Sequence, residues 1–206
     1  MKVLILNGSP REKGNTSILV NEMVKVFEAQ DVETEVVRVG SLDVSGCLAC
    51  GYCGSHDGCV KNDIVNELNA KLAEADGFVV ASPVHYASPA GTLISILDRM
   101  FYSSHNSMKM KVGACFAIAR RGGTTASFDV LNKYLLISGM VVAGGDYWNN
   151  GFGRIEGEIE QDLEGLRNAR TVAGRMVFLM KAIADEKAKI GFPEEEPRVG
   201  THFIGN

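Results

Sequence analysis

Apolar residues run through this chain in two alternating patterns. Val3-Leu4-Ile5-Leu6 is a short continuous apolar run, and Leu19, Met23, Val26 and Phe27 then recur at helical spacing. The alternation repeats. Glu35–Val39 reads as a second strand, and Ile64, Leu68 and Leu72 mark one face of a second helix. Asp76–Ser82 reads as a third strand, followed by a helix carrying Leu93, Ile96, Leu97, Met100 and Phe101. Val112–Ala119 is a fourth strand, with a helix to about Ser138, and Met140–Ala143 is a fifth. Gly144 to Gly157 reads as irregular, and a last helix spans about Glu160 to Lys189. Strands that are apolar on both faces, each followed by a helix, predict an α/β three-layer sandwich with a five-stranded parallel sheet. One domain is expected over residues 1–190, with a cysteine-rich insert at 44–60 and an extended or mobile tail at 191–206.

In such a sheet, ligands sit beyond the carboxyl ends of the strands, where strand order reverses. Three unusual loops fall at that edge: residues 7–17, 82–89 and 119–125. The first, Asn7-Gly8-Ser9-Pro10-Arg11-Glu12-Lys13-Gly14-Asn15-Thr16-Ser17, is an ordinary capped turn on one reading and a phosphate loop on the other. It has no Gly-x4-Gly-Lys-Ser/Thr lysine and no Gly-x-Gly-x-x-Gly spacing, so it suits one terminal phosphate, as in a mononucleotide such as FMN. In the second loop, Pro83 and Pro89 restrict the backbone around Val84, His85 and Tyr86, which suits a flat heterocycle. Gly122 and Gly123 bring a third backbone close, beside Arg120 and Arg121.

Cys47, Cys50, Cys53 and Cys59 form a C-x2-C-x2-C-x5-C run. Its first spacings match those of [4Fe–4S] ligands; zinc and free or redox-active thiols are the other readings. Cys115, within an apolar strand, reads as a buried structural cysteine. No serine or cysteine nucleophile stands beside an identifiable base, so no side chain is assigned as a catalytic acid, base or nucleophile. A net charge of −4 gives no reason to expect nucleic acid or an anionic membrane as a partner. The opening apolar run is too short for a signal-peptide core, and no stretch reaches a membrane span, so a cytoplasmic protein is expected.

Asn7-Gly8-Ser9-Pro10-Arg11 with Gly14-Asn15-Thr16, then Ser82-Pro83-Val84-His85-Tyr86 running into Leu97-Asp98-Arg99, resembles the NADPH-dependent FMN reductase branch of the flavodoxin-like superfamily. The resemblance extends from residue 1 to about 185. The cysteine run is similar to that of the iron–sulfur flavoproteins, which carry FMN and a [4Fe–4S] cluster. The resemblance implies FMN phosphate at Ser9, Arg11, Asn15, Thr16 and Ser17, and the isoalloxazine against Pro83, Val84, His85 and Tyr86, near Arg120, Gly122 and Gly123. It implies Cys47, Cys50, Cys53 and Cys59 as cluster ligands, NAD(P)H or a ferredoxin-like protein as donor, and a homodimer or homotetramer. The stretch Asp146-Tyr147-Trp148-Asn149 looks more like general NAD(P)H-dependent flavodoxin-family oxidoreductases, some with a similar cysteine loop and no established cluster. A non-catalytic electron carrier and an FMN reductase with a metal-free cysteine loop are the alternatives.

Overall fold

The structure, a computed structural model, describes residues 1–104, 108–197 and 199–201. Its sheet is built on five strand positions. β1 (Lys2–Asn7), β2 (Glu33–Arg38), β3 (Gly77–His85), β5 (Val112–Ala119) and β6 (Val141–Val142) lie in the order β2-β1-β3-β5-β6. All neighbours in that order are parallel. Two short strands lie off this path: β4 (Ser88–Pro89) pairs with β3, and β7 (Asn150–Phe152) with β5.

Strand alternation explains the layers. Successive side chains point to opposite faces of a sheet. Val3 and Ile5 enter one core cluster with Leu19, Met23 and Phe27 of α1 (Asn15–Glu28) and Val172 and Met176 of α5 (Leu163–Ile190). Leu4 and Leu6 enter the other cluster. There they meet α2 (Ile64–Glu74), α3 (Gly91–Ser103) and α4 (Thr124–Ile137) through Leu68, Leu97 and Leu131. Two helices thus cover one face and three the other. The apolar run of β1 has no exposed side because it serves both cores.

The fifth sheet position departs from the expected single strand Met140–Ala143. β6 pairs only with the start of β5, at Val112 and Gly113, and β7 pairs with its end, from Ala117 to Ala119. Between them the chain leaves the sheet because the Asn168 amide from α5 occupies the gap. It accepts from Asp146 N–H (2.8 Å) and donates to the Asn149 side chain (3.2 Å). Part of the segment expected to be irregular is therefore strand. The last helix begins after Asp162, whose carboxylate accepts from Gly165 N–H (2.9 Å). The expected start near Glu160 is a short 3₁₀ turn, Glu158–Gln161. Residues 191–197 and 199–201 carry no helix or strand; residues 198 and 202–206 of the tail lie outside the described residues. Among the described residues, no helix is long and apolar enough to cross a membrane.

Candidate functional site

The parallel strands β1, β3, β5 and β7 all end at the same edge, and strand order reverses between β1 and β3. The loop from β1 to α1 is fixed from below. Asn7 is buried, its Oδ1 accepts from Ser9 N–H (2.9 Å), and its Nδ2 donates to Ser17 Oγ (2.9 Å). Gly8 N–H donates to Ala81 O of β3 (2.8 Å). Gly40, just after β2, passes so close that a Cβ there would lie 2.3 Å from Gly8 O. Only a residue without a side chain fits that crossing.

The start of α1 is open to an anion. Gly14 is its N-cap, no side chain caps it, and its first turn holds no acidic residue. Ser9 and Ser17 hydroxyls make long bonds to Arg11 O (3.4 and 3.5 Å), which a stronger acceptor can displace. Thr16 is buried beside them. Arg11 is exposed, and its guanidinium has no partner among the described residues. Arg38, at the end of β2, donates to Pro10 O (3.4 Å) and adds a second positive charge beside the loop. The arrangement suits a small dianion.

Asn15 does something else. Its Nδ2 donates to Ile155 O (3.0 Å) and its Oδ1 accepts from Ile159 N–H (3.3 Å). Both ends of the amide are engaged in tying α1 to the 153–159 turn, so here Asn15 braces the loop from outside. That turn is itself capped by Glu158, which accepts from Arg154 N–H (2.6 Å) and Ile155 N–H (3.1 Å). These two bonds hold the Glu158 carboxyl below the usual glutamate range.

The expected 82–89 loop is a β-hairpin. Val84 pairs with Pro89 and His85 with Ser88, leaving Tyr86 and Ala87 as a two-residue turn. Both have positive φ, 51° and 58°, a conformation such turns usually give to Asn or Gly. Ser82 locks the base, accepting from Ala90 N–H (2.9 Å) and donating to Pro83 O (2.9 Å). The rigidity therefore comes from strand pairing and the Ser82 hydroxyl as well as the prolines. Pro83 and Val84 are half-buried, while His85 is exposed and the Tyr86 ring stands fully in solvent. Gly123 is the N-cap of α4 with φ 90°, and a Cβ there would lie 2.8 Å from Ala87 Cα. Hairpin tip and helix start are thus in contact, with Arg120 and Gly122 exposed alongside.

The cysteine run lies on the face of the sheet covered by α2 and α3. Cys47, Cys50, Cys53 and Cys59 line one cavity of about 20 Å³ with Arg99 and Tyr102. The loop turns through left-handed backbone at Ala49 and Gly51, and Ala49 N–H donates to Cys47 Sγ (3.4 Å). Among the described residues, no three His, Cys, Asp or Glu side chains stand close enough to hold a metal in this conformation. Beneath the cavity, Arg99 is buried and donates to Cys59 Sγ and to both Asp63 oxygens. Burial opposes ionisation of Asp63, but the Arg99 and Val65 N–H bonds outweigh it and keep its carboxyl below the usual aspartate range. Arg99 stands in the Leu97-Asp98-Arg99 motif, where the sequence assigns it no role. The signal is its position on the buried stripe Ile96, Arg99, Met100, Ser103, where an arginine is out of place unless paired. Cys115 is buried in β5, and burial pushes its thiol up, as expected of an inert cysteine.

Comparison with known proteins agrees with this architecture. Residues 1–154 match the family described as NADPH-dependent FMN reductase. An iron-sulfur flavoprotein of Methanocaldococcus jannaschii is 30% identical over 191 residues, covering 89% of this chain and 99% of that one. An iron-sulfur flavoprotein of Methanosarcina thermophila is 29% identical over 194 residues, covering 92% and 100%. Among solved structures, a flavodoxin from the domain Archaea superposes with a TM-score of 0.60 at 15% identity, covering 88% of this chain and 99% of that one. The chain belongs to the NADPH-dependent FMN reductase family, a family of FMN-binding oxidoreductases with a flavodoxin-like fold.

Proposed function

We propose that this protein is an FMN oxidoreductase that moves electrons from NAD(P)H or a ferredoxin-like donor to an acceptor, with a [4Fe–4S] cluster as second redox centre. The observation that carries the reading is the single sheet edge that gathers an uncapped helix start, an exposed Arg11, the Tyr86 hairpin and the start of α4. When bound there, FMN supplies the chemistry, because its ring takes two electrons as hydride or one at a time. The protein's share is placement. Ser9, Arg11, Thr16 and Ser17 bind the phosphate, Asn15 keeps the loop closed from behind, and Pro83, Val84, His85 and Tyr86 lie along the ring. Arg120, Gly122 and Gly123 complete that side, and no side chain is needed as acid, base or nucleophile.

The donor set of the cysteine loop suits an iron–sulfur cluster: four thiols on one short segment around one cavity. Cys47, Cys50, Cys53 and Cys59 are its ligands in this reading, and the iron-sulfur flavoproteins named above support it. Four clustered thiols point to a reducing compartment, the cytoplasm. A homodimer or homotetramer is the assembly expected.

Anaerobic reconstitution with FMN, iron and sulfide tests both centres. Yellow-brown protein with about four irons per chain is expected, and Cys50→Ala should lose the iron while keeping the flavin. Among the described residues no three ligands converge in this conformation, which favours one second reading, an FMN reductase with a metal-free loop. Flavin-loaded, iron-free wild-type protein would select it.

A further inference from the structure

Arg99 is the largest fully buried side chain of the chain's described residues, 1% exposed. A guanidinium so far from water is costly unless its charge and its five N–H groups are answered. Here all are. Nη1 donates to Asp63 Oδ2 (2.6 Å) and Ser45 O (3.3 Å). Nη2 donates to Asp63 Oδ1 (2.9 Å) and Cys59 Sγ (3.3 Å), and Nε donates to the same sulfur (3.4 Å). One sulfur therefore receives two charged N–H donors. A neutral thiol is a weak acceptor, whereas a metal-bound sulfur carries negative charge and accepts such bonds well.

Cys59 is fixed on its other side too. Its N–H donates to Asn66 Oδ1 (2.8 Å), and its carbonyl accepts from Asn66 Nδ2 (2.9 Å). Asp63 in turn caps α2 by accepting from Val65 N–H (3.2 Å). Cys59 is thus held at its sulfur by Arg99 of α3 and at its backbone by Asn66 of α2, while Asp63, the N-cap of α2, holds Arg99. Cys47 and Cys50 have no such frame: both are exposed, on a segment without helix or strand.

We propose that Arg99 is a positioning residue that holds the Cys59 sulfur as the fixed corner of the metal site and raises the reduction potential of a cluster bound there. The proposal rests on the cluster reading above. A cluster becomes more negative on reduction, so a neighbouring positive charge and N–H···S bonds favour the reduced form. Asp63 partly cancels that charge while keeping the guanidinium aligned. Arg99 and Asp63 therefore pull the potential in opposite directions, which a purely structural pair would not do.

The test compares wild-type protein with Arg99→Gln, Arg99→Lys and Asp63→Asn after anaerobic reconstitution with FMN, iron and sulfide. Iron per chain, flavin content, circular dichroism and the separate midpoint potentials of cluster and flavin are read. Arg99→Gln should lower the cluster potential, Asp63→Asn should raise it, and the flavin potential should stay in place. Arg99→Lys keeps the charge but not the fork, and should fall between Arg99→Gln and wild type. Loss of iron from Arg99→Gln with unchanged circular dichroism and flavin content also supports the assignment. If Arg99→Gln does not fold, the direction of the Asp63→Asn shift decides. Iron-loaded variants with the wild-type potential, or shifts of the same sign at Arg99 and Asp63, overturn the proposal alone. Wild-type protein that takes up no iron overturns the cluster reading and this proposal together.

Discussion

Single side chains in this protein divide between those that would touch a ligand and those that hold the touching groups in place. Arg11 is of the first kind: an exposed guanidinium at a helix start, with no partner among the described residues. Its hydrogen bonds to a phosphate would be charge-assisted, worth about 1.5–3 kcal/mol. Arg11→Ala should therefore weaken FMN binding about ten- to hundredfold, read by fluorescence titration, with the melting temperature of the apoprotein unchanged. An unchanged affinity would remove Arg11 from the phosphate site. Asn15 and Arg99 are of the second kind, and neither role was legible in the sequence. The partners of Asn15 are about 140 residues away, in a turn that has no recognisable pattern of its own. Arg99 meets Asp63 and Cys59 36 and 40 residues away. Local spacing identifies a helix face but not what is folded against it.

At the scale of elements, what could be read was what repeats locally. β1 and β5 are continuous apolar runs, and the structure makes both strands buried along almost their whole length. β7 was not legible because Asn150-Gly151-Phe152 has the composition of a turn and becomes strand only by pairing with β5. The hairpin at Tyr86 was hidden for a similar reason, since Tyr-Ala is not a sequence that favours two left-handed residues. Such residues are strained by roughly 1–2 kcal/mol each. Ala87→Gly should relieve about 1 kcal/mol of this and raise the melting temperature by about 2–4 °C. A drop in melting temperature would mean that the turn is not strained. The 153–159 turn depends on the ionised Glu158 carboxylate. A carboxyl whose folded pKa is depressed contributes stability above its unfolded pKa, about 4.3, and loses it as pH falls through the folded value. Amide hydrogens of Arg154 and Ile155 should therefore lose exchange protection at acid pH, below the ordinary glutamate range. Glu158→Gln should produce the same loss at neutral pH. Protection that persists in both cases would contradict the capping role.

Over the whole molecule, the three-layer arrangement brings the ends of β1, β2, β3, β5 and β7 to one edge, and the cysteine loop follows β2 onto the face covered by α2 and α3. The sheet order that creates this edge follows from where β3 goes after β2, to the opposite side of β1. The alternation of strand and helix in the sequence indicated the class of fold, while the interrupted fifth strand needed the Asn168 side chain to be seen. The outer side of α4 keeps Leu136 and Ile137 exposed, with Val130 and Tyr134 lining a shallow groove beside Ile137. A homodimer or homotetramer of the 22.2 kDa chain would cover apolar surface of this kind, and light scattering should give two or four times that mass. A monomer at micromolar concentration would refute it. In the function proposed above, the loops at the sheet edge hold FMN for electron transfer from a reduced donor. The most direct measurement of this is the flavin absorbance of anaerobic, FMN-loaded protein mixed with NADPH, NADH or reduced ferredoxin. At least one donor should bleach the flavin band at a rate consistent with turnover, and Arg11→Ala should need more FMN to reach the same amplitude. Protein that retains no FMN, or a flavin band that only dithionite removes, would contradict it.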